Sequence, residues 1–351
     1  MRVYIMIWNF FVGGAQKYAV FLANAYSEKG YTVTVLTSNI DGPFKDLLLP
    51  NIEVKVFRVP VVKSLKRLVS FSKALNKLIE PGSLIICNGP NNFRQIARLN
   101  LFFRRWKILQ VLHNDNNIQK STFSFLKTFE VRVLFNQKHV RVIALTHKQK
   151  IDHENRLGLR NVSVIPNFIE LKDFTLTTLS KKNPIGVSLG RYAPEKGYDV
   201  LLSAMKQVSK GIRLDVYGAG EKERLRLVKE AEQENVSNIR FNGPVLNVPE
   251  TLYKYDFYVL PSQSESFGLV LIEANACGLP IIATDCDGPM EIVDNESGLI
   301  VPKNNATDLA KGITQLHKLV QDGYYDPKVI RQKSLKYGTE NVIELYLGVF
   351  D

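Results

Sequence analysis

The most constraining feature of this sequence is its rhythm: short, largely apolar runs alternate with amphipathic stretches. Val3–Trp8 is followed by Gly14–Lys29, where Tyr18, Phe21, Leu22 and Ala25 share one helical face. The runs Tyr31–Leu36, Val54–Val59, Leu84–Cys87, Ile108–His113, Val140–Leu145 and Val162–Ile165 continue the series. Predominantly apolar runs of this length suit strands buried in a parallel sheet. Strands alternating with helices predict βαβ units and a doubly wound sheet.

The rhythm then breaks. Lys172–Pro184 is rich in Thr, Ser, Lys and Asn and has no periodicity. A second series follows, with strands expected at Ile185–Leu189, Leu214–Tyr217, Ile239–Phe241, Phe257–Leu260, Pro280–Ala283 and Leu299–Val301. The pattern predicts an α/β chain of two Rossmann-like domains facing across a cleft. The expected boundaries are 1–168, a linker at 169–184, 185–325, and a C-terminal helix over 326–351 that crosses back to the first domain. Ligands of such sheets bind at the carboxyl ends of the strands. At 351 residues the chain is long enough for two self-sufficient cores.

Charge divides along the same line. The chain carries a formal +12, with 46 Lys and Arg against 34 Asp and Glu. Residues 1–168 hold 25 basic and 9 acidic residues, and the remainder 21 and 25, so the halves differ as +16 and −4. Such an excess suits an anionic partner. No nucleic-acid module accompanies it, which argues against nucleic acid as that partner. Three cysteines, Cys87, Cys277 and Cys286, make no disulfide framework and imply a reducing compartment. No signal peptide or membrane-spanning run is evident.

Three segments suggest chemistry. Ser264–Ala274 follows a strand and a Pro261-Ser262 break. It places Glu265 in a loop, Gly268 near a helix start and Glu273 about a turn inside. Unsatisfied amides at a helix start bind anions, and glycine lets a ligand approach the backbone. The two glutamates equally suit solvated positions at a helix start. Gly190-Arg191-Tyr192-Ala193-Pro194-Glu195-Lys196-Gly197 follows the second domain's first strand. There Arg191 could clamp phosphate oxygens and Lys196 add a point charge. Gly13-Gly14 follows the first strand without the full spaced-glycine fingerprint, and Thr37-Ser38 stands where a nicotinamide site would need an acid. A plain tight turn suits the pair as well. His113 closes a strand, either as a site residue or as a turn residue. Asp285-Cys286-Asp287 reads as a turn before Gly288-Pro289, so no metal site and no cofactor are expected.

Together these segments resemble family-4 retaining glycosyltransferases of the GT-B fold. The resemblance rests on Gly13-Gly14, Val164-Ile165-Pro166-Asn167, Gly190-Arg191 with Pro194-Glu195-Lys196-Gly197, Tyr217-Gly218-Ala219-Gly220-Glu221 and Phe241-Asn242-Gly243. It extends through Glu265-Ser266-Phe267-Gly268 with Glu273, Ala276-Cys277-Gly278-Leu279-Pro280, Gly288-Pro289 with Glu291-Ile292-Val293, and Gly298-Leu299-Ile300-Val301-Pro302. It implies a nucleotide-sugar donor, by family habit UDP-linked. Arg191 and Lys196 would hold the diphosphate, and Glu273 the ribose. Glu265 would contact the sugar, and the amides of Phe267, Gly268 and Leu269 would surround sugar and phosphates. Val245-Leu246 would lie by the base, Gly14 by the diphosphate and His113 near the transferred sugar. Gln16 and Thr146 depart from the family's usual Glu and Ser, both in the domain assigned to the acceptor. An epimerase or phosphorylase of the same fold is the alternative activity.

The acceptor implied is a glycan or a lipid-linked glycan of the bacterial cell envelope. In Val62–Ile79 the residues Leu65, Leu68, Val69, Leu75, Leu78 and Ile79 fall on one side, with Lys63, Lys66, Arg67, Lys73 and Lys77 over much of the rest. Leu101–Lys107 adds Arg104, Arg105 and Trp106. A basic amphipathic helix beside an aromatic–basic stretch suits an anionic membrane surface. A cytoplasmic enzyme, peripheral at the inner face of the membrane, is the expectation.

Overall fold

The computed structural model describes residues 1–11, 13–57, 73–103, 105–113 and 125–350. The expected membrane contacts Lys63, Lys66, Arg67 and Arg104 lie outside the described residues, as does Val12.

The chain divides into two compact units: Met1–Asn167 with Glu340–Asp351, and Phe168–Thr339. The first unit is built on a seven-stranded sheet. Its strands are β1 (Arg2–Ile7), β2 (Thr32–Thr37), β3 (Glu53–Val56), β4 (Leu84–Cys87), β5 (Lys107–Val111), β6 (Val140–Ala144) and β7 (Val162–Val164). All pairings are parallel, in the order β3-β2-β1-β4-β5-β6-β7. The second unit has six strands: β8 (Ile185–Leu189), β9 (Arg213–Tyr217), β10 (Ile239–Asn242), β11 (Phe257–Leu260), β12 (Ile281–Thr284) and β13 (Gly298–Val301). They are also parallel, in the order β10-β9-β8-β11-β12-β13. Each sheet therefore reverses direction once. The switch falls between β1 and β4 in one and between β8 and β11 in the other, where such sheets open a crevice for ligands.

The central strands suit parallel pairing because their side chains are buried on both faces. β1 is buried from Val3 to Ile7, and β4, β11 and β12 are buried throughout. Helix Gly14–Glu28 covers one face with Tyr18, Leu22, Ala25 and Tyr26 among its buried residues. In the second unit, helix Ala306–Gln321 contributes Leu309, Ile313, Leu316 and Val320 to the core, and Gly312 leaves room for Ile282.

Three expectations need revision. Residues 169–184, expected as a linker, are part of the second unit, as is Phe168. Phe168, Ile169 and Phe174 are buried, Thr177 N–H donates to the Cys277 carbonyl, and Asp256 accepts from the Ser180 and Ile185 amides. The segment lacks periodicity because its partners are loops and side chains rather than a ladder. The C-terminal stretch is two helices, Pro327–Leu335 and Thr339–Leu347. At the break, Ile169 N–H donates to the Tyr337 carbonyl, and the Leu171 side chain packs against Gly338 where a Cβ would stand.

The third concerns Trp106, which is no membrane contact. It is 2% exposed, inside the first unit's core. Asn100, fully buried, bonds the Trp106 carbonyl and both the Arg105 and Trp106 amides, folding the chain from helix Pro90–Phe103 into β5. The aromatic–basic run is therefore a turn whose Trp points inward. Arg105 stays exposed, as do Lys73 and Lys77 in the helical stretch 73–78.

The tail also moves charge. Glu340–Asp351 contributes three acids and no base to the first unit, which then holds 25 basic and 12 acidic residues, a net +13; the second is close to neutral at −1. Glu344 pairs with Lys29, and the Phe350 ring lies beneath Lys107 and Arg141. Among the described residues no helix is long and apolar enough to cross a membrane.

Candidate active site

The switch point of the second sheet gathers the residues singled out above. The loop after β8 carries Arg191 and a one-turn helix Pro194–Lys196; the loop after β11 carries Glu265. Backbone bonds fasten the two loops: Gln263 N–H donates to the Glu195 carbonyl at 2.9 Å. Gly197 makes this possible. Its φ is +67°, and a Cβ there would lie 2.1 Å from the Pro261 carbonyl oxygen. Only glycine meets both demands.

This clamp brings Lys196 Nζ within 2.6 Å of Glu265 Oε2, with both side chains largely withdrawn from solvent. One of the three ammonium donors is used by the carboxylate, so two remain for phosphate oxygens. Arg191 pairs with Glu195 at 2.9 Å on the surface, where the pair carries little energy. It remains exposed, able to swing its planar fork to an anion.

Gly268, at φ +88°, ends the Glu265 loop and begins the helix Leu269–Cys277. The unsatisfied amides of that first turn make a positive helix end beside the lysine's loop. Gly288 holds the loop from the other side, donating its N–H to the Glu265 carbonyl at 3.2 Å. A Cβ at Gly288 would strike the Phe267 carbonyl. Phe267 is buried, its ring edge-on to Tyr337. Glu273 lies a turn inside the helix and is 1% exposed, in contrast to a solvated helix-start position. Behind it, Tyr258 bonds both the Leu189 amide and carbonyl across the switch point. Val245 is half-buried and Leu246 is 80% exposed, on the loop between β10 and helix Val248–Leu252. Asp285 accepts from the Lys303 amide, and Asp287 begins a short helix, so both acids occupy loop-closing positions. Among the described residues no group of three His, Cys, Asp or Glu is arranged to hold a metal.

The switch point of the first sheet is built differently. Gly14 opens helix Gly14–Glu28 and faces open space. Asn88 follows β4 directly, and His113 follows β5. His113 Nε2 lies 3.0 Å from Asn88 Oδ1, and the Tyr18 ring meets the imidazole edge-on at 5.1 Å. The Tyr18 and Tyr346 hydroxyls are bonded to each other, so the C-terminal tail backs this corner. Burial pushes the imidazole down to about 4, and His113 is neutral at physiological pH. Thr146 caps helix His147–Leu157 through the Gln149 amide. Asn88, Tyr18 and Tyr346 were not evident from motifs. Only Asn88 left a signal, as the residue next to a strand end at the switch point.

Two parallel α/β units, each with a switch point of the kind where such sheets bind ligands, define the class of doubly wound α/β proteins. Comparison with known proteins narrows it. Residues 172–322 match the family model described as glycosyl transferases group 1, and residues 12–173 match that of glycosyltransferase family 4. Between them the two cover most of the sequence, and the chain belongs to this glycosyltransferase family. It is 27% identical over 288 residues to a poly(ribitol-phosphate) alpha-N-acetylglucosaminyltransferase of Staphylococcus aureus, covering 79% of this chain but 57% of that enzyme's length. It is 26% identical to an uncharacterized glycosyltransferase of Haemophilus influenzae over 96% of both chains. The fold matches the Anabaena protein HepE in complex with UDP and glucose (TM-score 0.81, 21% identity, 99% and 98% of the chains covered). It also matches TarM (TM-score 0.82, 17% identity, 100% and 98% covered). These neighbours share the GT-B fold.

Proposed function

We propose that the chain is a retaining, metal-independent glycosyltransferase. It moves a sugar from a UDP-linked donor to a glycan or lipid-linked acceptor in cell-envelope polysaccharide synthesis. The observation that carries this reading is the clamp of the β8 and β11 loops, which sets Lys196 against Glu265 beside a helix N-terminus. The second unit holds the donor: Arg191, Lys196 and the Gly268–Leu269 amides at the diphosphate, Glu273 at the ribose, Val245-Leu246 by the base. The first unit presents the acceptor. UDP is favoured by its presence with HepE, and a polysaccharide product by the name of the staphylococcal relative and by that of a lipopolysaccharide core glycosyltransferase of Rhizobium meliloti.

The chemistry follows from charge. As the bond from the sugar's anomeric carbon to the phosphate oxygen breaks, negative charge grows on the leaving diphosphate. Cations and amides already aimed at that charge are the largest catalytic lever. When donor diphosphate arrives, Lys196 turns its free donors to it, while Glu265 stays to orient the lysine and meet sugar hydroxyls. The acceptor oxygen bonds to the anomeric carbon on the same face, and its proton passes to the departing phosphate oxygen. No second carboxylate is then required, unlike in a retaining glycosidase.

The +13 of the first unit adds an address: peripheral attachment to the anionic inner face of the membrane, through exposed cations such as Lys73, Lys77 and Arg105. A donor screen measuring release of nucleoside diphosphate tests the function. Release from a UDP-sugar that rises on adding glycan acceptor supports it. Epimerised sugar or sugar phosphate as the only product overturns it.

A further inference from the structure

We propose that Asn88 fixes the tautomer of His113 and, with it, presents one hydrogen-bond donor and one acceptor to a single substrate hydroxyl. Two atoms of Asn88 are decisive. Asn88 Oδ1 lies 3.0 Å from His113 Nε2. A carbonyl oxygen can only accept, so a neutral imidazole in this bond must carry its proton on Nε2. Its Nδ1 is then a bare lone pair. The second atom is Asn88 Nδ2, which is buried and has no hydrogen-bond partner among the described residues. A buried amide donor left unmade costs about 1–3 kcal/mol, so the site is incomplete without a polar ligand.

The two open functions, a lone pair on His113 and an N–H on Asn88, match the two functions of one hydroxyl. A phosphate offers only acceptors and would leave Nδ1 unanswered; a cation would leave Nδ2 unanswered. The surrounding structure keeps the pair neutral and fixed. Tyr18 packs edge-on against the ring, its hydroxyl is engaged by Tyr346, and burial disfavours the imidazolium. Asn88 stands at the end of β4 and His113 beyond β5, neighbouring strands at the switch point. Asn88 is thus a positioning residue for His113 and a reader of hydroxyl chemistry. That the hydroxyl belongs to a sugar rests on the function proposed above; the tautomer does not.

The test is nitrogen-15 NMR of the imidazoles in the full chain, with His113 assigned by its loss in His113→Gln. The expected spectrum at neutral pH shows Nε2 protonated and Nδ1 bare. Asn88→Ala is expected to release the ring into a mixture of tautomers. A wild-type ring protonated on Nδ1, or an unchanged tautomer in Asn88→Ala, overturns the proposal without reference to activity. Asn88→Asp keeps an acceptor for Nε2–H but removes the amide donor. It is expected to raise the midpoint of His113 protonation above about 4 and to cut kcat/KM with UDP-glucose or UDP-N-acetylglucosamine at least tenfold. Wild-type kcat/KM in Asn88→Asp overturns the hydroxyl-reading half. Failure of wild-type enzyme to use any nucleotide sugar would count against the proposed function, and the NMR result would still decide the tautomer.

Discussion

Replacing Gly197 by Ala isolates the geometry on which the donor site depends. Gly197 has φ +67°, so any L-residue there pays the left-handed penalty of about 1–2 kcal/mol. The added Cβ would also stand 2.1 Å from the Pro261 carbonyl oxygen, about 1 Å inside normal contact. Because a Cβ is fixed by its own backbone and the Pro261 oxygen is backbone, neither can turn aside, and the β8 and β11 loops must separate by a comparable distance. A control in the same unit separates the two costs. Gly323 has φ +69°, but a Cβ there meets only the tip of the Lys181 side chain, which can move aside. Gly323→Ala should therefore cost about 1 kcal/mol, and Gly197→Ala about 2–4 kcal/mol once overpacking is added. The same displacement would part Lys196 from Glu265, and misplacement of about 1 Å in a catalytic array can cost about 10²-fold in rate. Urea denaturation followed by UDP calorimetry and turnover reads all three quantities. If Gly197→Ala and Gly323→Ala are equally stable and bind UDP equally, the loops are not clamped as described.

Further outcomes follow from other parts of the fold. Asn100→Ala removes three hydrogen bonds at the Trp106 turn, two of them buried, and should destabilise the first unit by about 2–4 kcal/mol in denaturation; a change below about 1 kcal/mol would refute that role. The His113 imidazole has a folded pKa near 4 against 6.5 when free, so the unfolded chain binds the extra proton between those values. Stability should be full above about pH 6.5 and fall as pH drops towards 4, with His113→Gln flattening that slope; an unchanged slope would contradict the burial argument. Liposome flotation should show enrichment on anionic vesicles at low salt, weakened by a Lys73→Glu/Lys77→Glu/Arg105→Glu triple variant and unaffected by Trp106→Phe. Absence of enrichment, or loss on Trp106→Phe, would sink the surface proposed.

The fold was legible wherever burial was uniform along an element. The runs that became β1, β4 and β11 are apolar at successive positions because both of their faces are buried, and this leaves a mark in a single sequence. Boundaries set by hydrogen bonds between distant residues left none. Residues 177–185 are fastened to the second unit by Asp256 and Cys277, and Ile169 is tied to Tyr337 and Thr339 at the break between the last two helices. Trp106 misled because its neighbours are cationic; only Asn100, six residues earlier, tells that the ring turns inward. At the site, the glycines and cations of the β8 and β11 loops could be read from their place after strands. What could not be read is that Glu195 and Gln263 zip the loops together, or that Asn88 meets His113. Those contacts join residues 68 and 25 positions apart through sheet register, not local pattern.

The central claim is that the clamped loops of the second unit hold a nucleoside diphosphate through Lys196 and Arg191. Calorimetric titration of UDP into the intact chain, Lys196→Ala and Arg191→Ala tests it most directly. Charge-assisted bonds are worth about 1.5–3 kcal/mol each, so each substitution should weaken UDP about tenfold or more while the fold, checked by circular dichroism, persists. UDP binding of equal affinity to all three proteins would contradict the claim.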